Sequence, residues 1–247
     1  MSFITINPKN NIFTLFQYKW KAYRSTLTTL VLLQLIAILF SLGGSSVSET
    51  GNGFISIQLK NINANIVIIL TLLWAFVTGI LITTKSYREK DYHFVTTRIN
   101  SNVANILFLA SISVLAGLTT IMSRYLIISL HTLFVGLEEV ISLSAIADLQ
   151  GYVYGVMGTI IYIFFFSIIG YLIGCLVQVH YSFAFLIPTV IIGTIVMLNT
   201  MNIDLLYKVN HFYFFESSFP IFLLKTLTTI TVAILCAFWI SNQKEVR

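Results

Sequence analysis

The sequence predicts an all-α polytopic membrane protein: six transmembrane helices preceded by an amphipathic interfacial helix, with both termini cytoplasmic. Three observations carry that prediction. Only 9% of the 247 residues are charged, against roughly 25% in soluble domains, so the polar surface that a water-facing globule needs is missing. The apolar residues run in long stretches, and about 20 helical residues cross a hydrocarbon layer about 30 Å thick. Those stretches lack the period-two alternation of a membrane β-barrel.

Residues 10–24, NNIFTLFQYKWKAYR, place Ile12, Phe13, Phe16, Trp20 and Tyr23 on one broad helical face. Gln17, Lys21 and Arg24 share the opposite face, and Lys19 alone intrudes on the apolar side. This is the pattern of a helix lying flat in the inner-leaflet interface, with Tyr18, Trp20 and Tyr23 at headgroup depth. Apolar windows then place spans near 26–44, 63–84, 104–131, 151–178, 183–201 and 220–241, within a single transmembrane domain covering 1–247. The third and fourth are long enough to tilt or to pass the bilayer surface. Pro220 suits the first turn of the last helix, where its missing N–H costs nothing, and Pro188 falls near the start of the fifth span. Gly151 with Gly155, and Gly170 with Gly174, form two small-xxx-small pairs for close helix packing, within one subunit in preference to a subunit interface. Residues 124–143 read as the outer end of the third span running into an interfacial segment. A seventh crossing there would put Lys244 and Arg247 outside. No short apolar core with a small-residue cleavage site begins the chain, so no signal peptide is expected.

Direction follows from the bases. Lys9, Lys19, Lys21 and Arg24, then Lys85, Arg88, Lys90 and Arg98, then Lys244 and Arg247 all fall on one side, ten of the fourteen Lys and Arg. Positive charge stays in the cytoplasm, which puts both termini there. Lys60 and Lys208 fall on the other side, with Arg124 and Lys225 inside spans near that face.

The stretch Lys85–Arg98 reads KSYREKDYHFVTTR, and six of its fourteen residues are Lys, Arg, Asp or Glu. A basic loop follows from topology alone, and a solvated loop is the plainer alternative. Glu89 and Asp91 among the bases do not follow from topology, and a lipid anchor would be more uniformly positive. Mixed charge interleaved with aromatic rings suits a protein contact. The loop 85–103 is therefore expected to carry a short cytoplasmic helix that docks on a partner through Tyr87, Arg88, Glu89, Lys90, Asp91, Tyr92, His93 and Phe94. No Asp or Glu falls in the middle of a span, where an ionised carboxylate costs roughly 2.5–3.5 kcal/mol. Ion-coupled carriers use such groups, so a secondary transporter is disfavoured. Cys175 and Cys236 lie in apolar runs as small hydrophobes, and no metal-ligand or disulfide spacing occurs.

In this layout the chain resembles the permeases of type-2 ABC exporters: a basic amphipathic helix, six spans, and one charged loop between the second and third. The stretch YREKDYHFVTTRINSNVANILFL (87–109) is similar to that family's charged cluster, amphipathic turn and polar run, with Arg88, Glu89 and Lys90 as the cluster. A proline often found in the family's loop is replaced by the region Thr96-Thr97-Arg98. The resemblance implies that the loop is a coupling helix inserted into a separate ATPase subunit in the bacterial plasma membrane. It implies a second permease, a copy or a paralogue, completing the pathway. ATP and Mg would sit on the ATPase, with no cofactor, metal or nucleic acid bound here. The chain has no G-x-x-x-x-G-K-[ST] stretch and no lysine preceded by glycine, so the ATP chemistry must come in trans. The cargo implied is an amphipathic peptide or lipid-like molecule, by fold-level analogy. Residues 211–220 read as an aromatic belt or, by the resemblance, as short re-entrant helices.

Two other classes compete. Glu138-Glu139 are similar to the paired acids of intramembrane CAAX-type proteases. The arginine of that motif is Leu143 here, Leu176 stands four residues before His180, and Phe215 stands four after His211. A non-transporting immunity or sensor subunit is the other.

Overall fold

The computed structural model of the chain describes residues 8–43, 46–51, 56–61, 64–85, 87, 98–135, 149–200, 205–216 and 218–242. Eight helices follow one another among the described residues: α1 (Pro8–Ala22), α2 (Arg24–Gly43), α3 (Asn65–Thr83), α4 (Arg98–Val135), α5 (Leu149–Val179), α6 (Phe183–Thr200), α7 (Leu205–Phe214) and α8 (Phe219–Asn242). Between α2 and α3 lies an antiparallel hairpin of β1 (Ser46–Gly51) and β2 (Ser56–Asn61), registered from Ser46↔Asn61 to Gly51↔Ser56. The sequence reading placed no strand there. The signal was present: Ile57 and Leu59 alternate with Ser56, Gln58 and Lys60 after an Asn52-Gly53 pair.

Among the described residues five helices are long and apolar enough to cross a membrane: Arg24–Gly43, Asn65–Thr83, Ile99–Leu133, Gly151–Val179 and Phe219–Asn242. The expected span 183–201 becomes α6, whose apolar part, Phe183–Leu198, is shorter. The 18 residues of α6 rise about 27 Å, just under a hydrocarbon layer of about 30 Å. Pro188 lies inside α6 and denies the carbonyl four residues back its donor. By contrast α4, with 38 residues, rises about 57 Å. It passes Arg124 unbroken to Val135, so residues 124–135 continue the third helix; 136–143 lie outside the described residues. Prolines open two helices, Pro8 in α1 and Pro220 in α8, where a fixed φ and a missing donor are harmless.

The chain divides into two compact units. One is Lys21–Ala75 with Ala110–Phe164; the other is Met1–Trp20, Phe76–Leu109 and Phe165–Arg247. In the first, α2 buries a stripe at helical spacing, Thr26, Leu30, Gln34, Ala37, Ile38 and Ser41. Ala37 and Ile38 pack with Val67 of α3 and Ile127 of α4, flanked by Leu42, Ala64, Ile66, Leu70 and Leu130. The opposite side of α2 leaves Leu32, Leu35 and Leu39 exposed. An apolar surface of that extent is untenable in water and natural in hydrocarbon.

Two buried threonines of this interior are satisfied within their own helices. Thr71 and Thr120 each donate to a carbonyl one turn back in their own helices, Val67 and Ala116, both at 2.7 Å. Their oxygens then accept from Gln34 Nε2 at 3.5 and 3.1 Å. Trp74 Nε1 donates to Thr29 Oγ1 at 3.1 Å. One amide thus ties α2 to both α3 and α4, a use of buried polar groups typical of membrane helices. Replacing Gln34 by leucine should lower stability by about 0.5–1.5 kcal/mol. The loss stays modest because both hydroxyls keep their carbonyl bonds. Reversible unfolding in mixed micelles measures it.

Candidate functional site

In the second unit the elements flanking the charged loop meet on one helix. Past α3 the chain keeps turning, with Thr84 N donating to Leu81 O at 3.0 Å and Tyr87 N to Thr84 O at 3.1 Å. Lys85 is exposed and Tyr87 half-buried. Of the expected docking residues, Arg88, Glu89, Lys90, Asp91, Tyr92, His93 and Phe94 lie outside the described residues, as do Glu138 and Glu139. The described stems are the end of α3 and the start of α4.

The α3 stem touches α5 backbone to backbone. A Cβ on Gly79 would overlap the Ser167 carbonyl and stand 2.8 Å from the Tyr171 nitrogen. One on Gly170 would overlap the Phe76 carbonyl, and one on Gly174 would strike the Thr83 hydroxyl. Such small-residue crossings let helix backbones approach closely. Of the two glycine pairs singled out in sequence, Gly170 and Gly174 make this crossing. Gly151 and Gly155 have nothing within 4 Å of an added Cβ. That pair sits on an exposed part of α5 and has no close neighbour among the described residues. At the end of the crossing Gln178 Nε2 donates to the Thr83 carbonyl, one of the last carbonyls of α3, which have no partner within their own helix.

The α4 stem is tied to the same helix. Tyr171 OH donates to Asn102 Oδ1 at 3.0 Å and accepts from Asn105 Nδ2 at 3.5 Å. Asn105 is buried, and its Oδ1 has no donor among the described residues.

The amino-terminal helix meets α4 as well. Trp20 stands edge-on to Phe108 with ring centroids 6.0 Å apart, and Phe16 stands edge-on to Trp20 at 6.4 Å. Of the four side chains expected at the interface, Phe13 is 60% exposed, Phe16 and Trp20 are half-buried, and Tyr23 is only 1% exposed. Steps of about 100° per residue put Leu15, Lys19 and Tyr23 on one stripe, and that stripe is buried. Phe16 lies along its edge, with Trp20 and Phe13 farther round the helix. Tyr23, grouped in sequence with the headgroup-depth rings, is therefore a packed interior residue.

Of residues 211–219, 211–214 end α7 and 219 begins α8, while 217 lies outside the described residues. His211 stacks on Phe215 at 5.8 Å, and Lys225 pairs with Glu216 while lying 4.1 Å from the Phe212 ring. A lysine two turns into an apolar helix is thereby neutralised and covered. The sequence separated these two charges by nine residues across a helix start, which hid the pair. His180 Nδ1 accepts from Ser182 N at 3.3 Å in the turn between α5 and α6. No group of three metal-ligating side chains occurs among the described residues. Cys175 is buried and Cys236 exposed, and neither is in a disulfide.

Gly170→Leu should cost about 1–3 kcal/mol, because backbone on the facing helix cannot yield. Gly151→Ala and Gly155→Ala should stay within about 0.5 kcal/mol of the parent. Thermal unfolding in detergent compares the three.

Comparison with known protein families, with curated proteins and with solved structures returns no match.

Proposed function

We propose that this chain is the permease subunit of an ABC exporter, half of a translocation pathway that a separate ATPase drives. The observation that carries the reading is the place of its charge: six of the fourteen residues of Lys85–Arg98 are ionic, between two helices that are otherwise apolar. A membrane protein that concentrates mixed charge and aromatic rings in one connection has built a protein contact there. The spans contain no acidic residue, so the chain lacks the intramembrane carboxylates by which ion-coupled carriers draw on a gradient. Energy then has to arrive from outside the bilayer, and a docking loop is where it enters.

On this reading both termini and the loop 85–103 face the cytoplasm of a bacterial cell, and a second permease, identical or paralogous, completes the pathway. The cargo is an amphipathic peptide or a lipid-like molecule. The ATPase engages Tyr87, Arg88, Glu89, Lys90, Asp91, Tyr92, His93 and Phe94.

Tagged chain extracted from native membranes in mild detergent should bring down a P-loop subunit and hydrolyse ATP, while chain purified alone should not. Reversing the cluster (Arg88→Glu, Glu89→Arg, Lys90→Glu) should remove at least nine-tenths (~90%) of that association by disrupting charge complementarity, with membrane insertion unchanged. Co-purification unaffected by the reversal contradicts the docking role.

A further inference from the structure

We propose that α5 is the strut that receives the movement of the charged loop, with Tyr171 and Gln178 as its positioning residues; this rests on the docking reading of that loop. The two stems of the loop leave from different helices, α3 and α4, yet both are fastened to a single face of α5. That face comprises Ser167, Gly170, Tyr171, Gly174 and Gln178, spaced three, one, three and four residues apart, which is one side of a helix. On α3 the facing residues are Phe76, Gly79 and Thr83, again one side. On α4 they are Asn102 and Asn105, three apart.

The fastening is of two physical kinds. Against α3 it is steric: at Gly79 and Gly170 backbone faces backbone, and at Gly174 the short Thr83 side chain seats directly on the glycine, so a displacement of Thr83 is passed to α5. Close-packed interiors of this sort transmit strain and do not absorb it. Gln178 closes the end of that contact through the Thr83 carbonyl. Against α4 the fastening is polar: one phenol holds two asparagines, donating to Asn102 and accepting from Asn105. Asn105 is buried, so leaving the phenol would strand its amide without a partner, which is costly. A push on the loop therefore cannot move one stem alone without breaking one of these contacts. It moves α5, which continues as one helix of 31 residues from Val179 back to Leu149.

The Tyr171 hydroxyl separates a coupling role from a space-filling one. A tyrosine that only filled space would be served by phenylalanine, which keeps the ring. A tyrosine that couples the α4 stem to α5 loses its task with the hydroxyl alone.

The test uses the full chain with Cys175 and Cys236 replaced by alanine and spin labels at Lys85→Cys and Val179→Cys. Pulsed dipolar spectroscopy in nanodiscs should give one narrow distance distribution. Nucleotide trapping of the assembled complex should leave its mean unchanged. Tyr171→Phe with Gln178→Leu should at least double its width, while ATPase capture stays within about twofold of the parent and ATP hydrolysis falls at least threefold. Tyr171→Phe alone, which conserves packing, should give an intermediate width. A mean that shifts on trapping in the parent, or a width and hydrolysis rate untouched by the double variant, overturns the strut. Failure of the parent chain to capture any ATPase overturns the docking reading instead, and is seen before a label is introduced; the width measurement on the chain alone then still decides the fastening.

Discussion

A hydrocarbon layer supplies no hydrogen bonds, and that constraint shapes this protein at every scale. Helices answer it for the backbone. Threonine hydroxyls answer it by donating to the carbonyl one turn back, as at Thr71, Thr120, Thr159, Thr189 and Thr226. Gln34 has no such local partner, so it gathers the oxygens of two other helices, and in doing so sets their register. Lys225 answers the constraint with Glu216 and a phenylalanine face. At Gln34 and Lys225 satisfying the polar group also fixes a tertiary contact, so even a chain with so few charges gains specific geometry from its polar groups.

Where the hydrophobic effect gives no drive for helices to associate, close packing has to supply it. The crossing of α3 and α5 at Gly79, Gly170 and Gly174 is the clearest instance, with backbone meeting backbone at the first two and the Thr83 side chain seated on the third. Its position matters for function because α3 ends there and the ionic segment begins two residues later. This close contact thus lies at the root of the segment proposed to take up work from a partner.

Much of this was legible in the sequence, and what was not has physical reasons. Apolar windows located five of the spans and the unbroken run of α4 beyond Arg124, because span length and lack of charge are properties of a single segment. The Gly170-xxx-Gly174 spacing marked a close contact but not its partner. Gly151 and Gly155 carry the same spacing with no close neighbour, since spacing records what a helix permits and not what approaches it. The wheel for residues 10–24 set Tyr23 with the interfacial rings, yet burial centres on Leu15, Lys19 and Tyr23, because a wheel cannot say which part of a broad face meets protein. The Gln34 cluster joins residues 37 and 86 apart, and the stems of the loop meet α5 across 66, 69 and 95 residues. Nothing in a local window anticipates them.

The central claim is that this chain is a membrane-embedded pathway element worked from its cytoplasmic side. Sided thiol labelling tests it most directly, with single cysteines at Glu49→Cys and His93→Cys in a background where Cys175 and Cys236 are alanine. A maleimide that does not cross membranes should label position 49 in intact cells and position 93 only after permeabilisation. Labelling of position 93 in intact cells would place the ionic segment outside and contradict the claim.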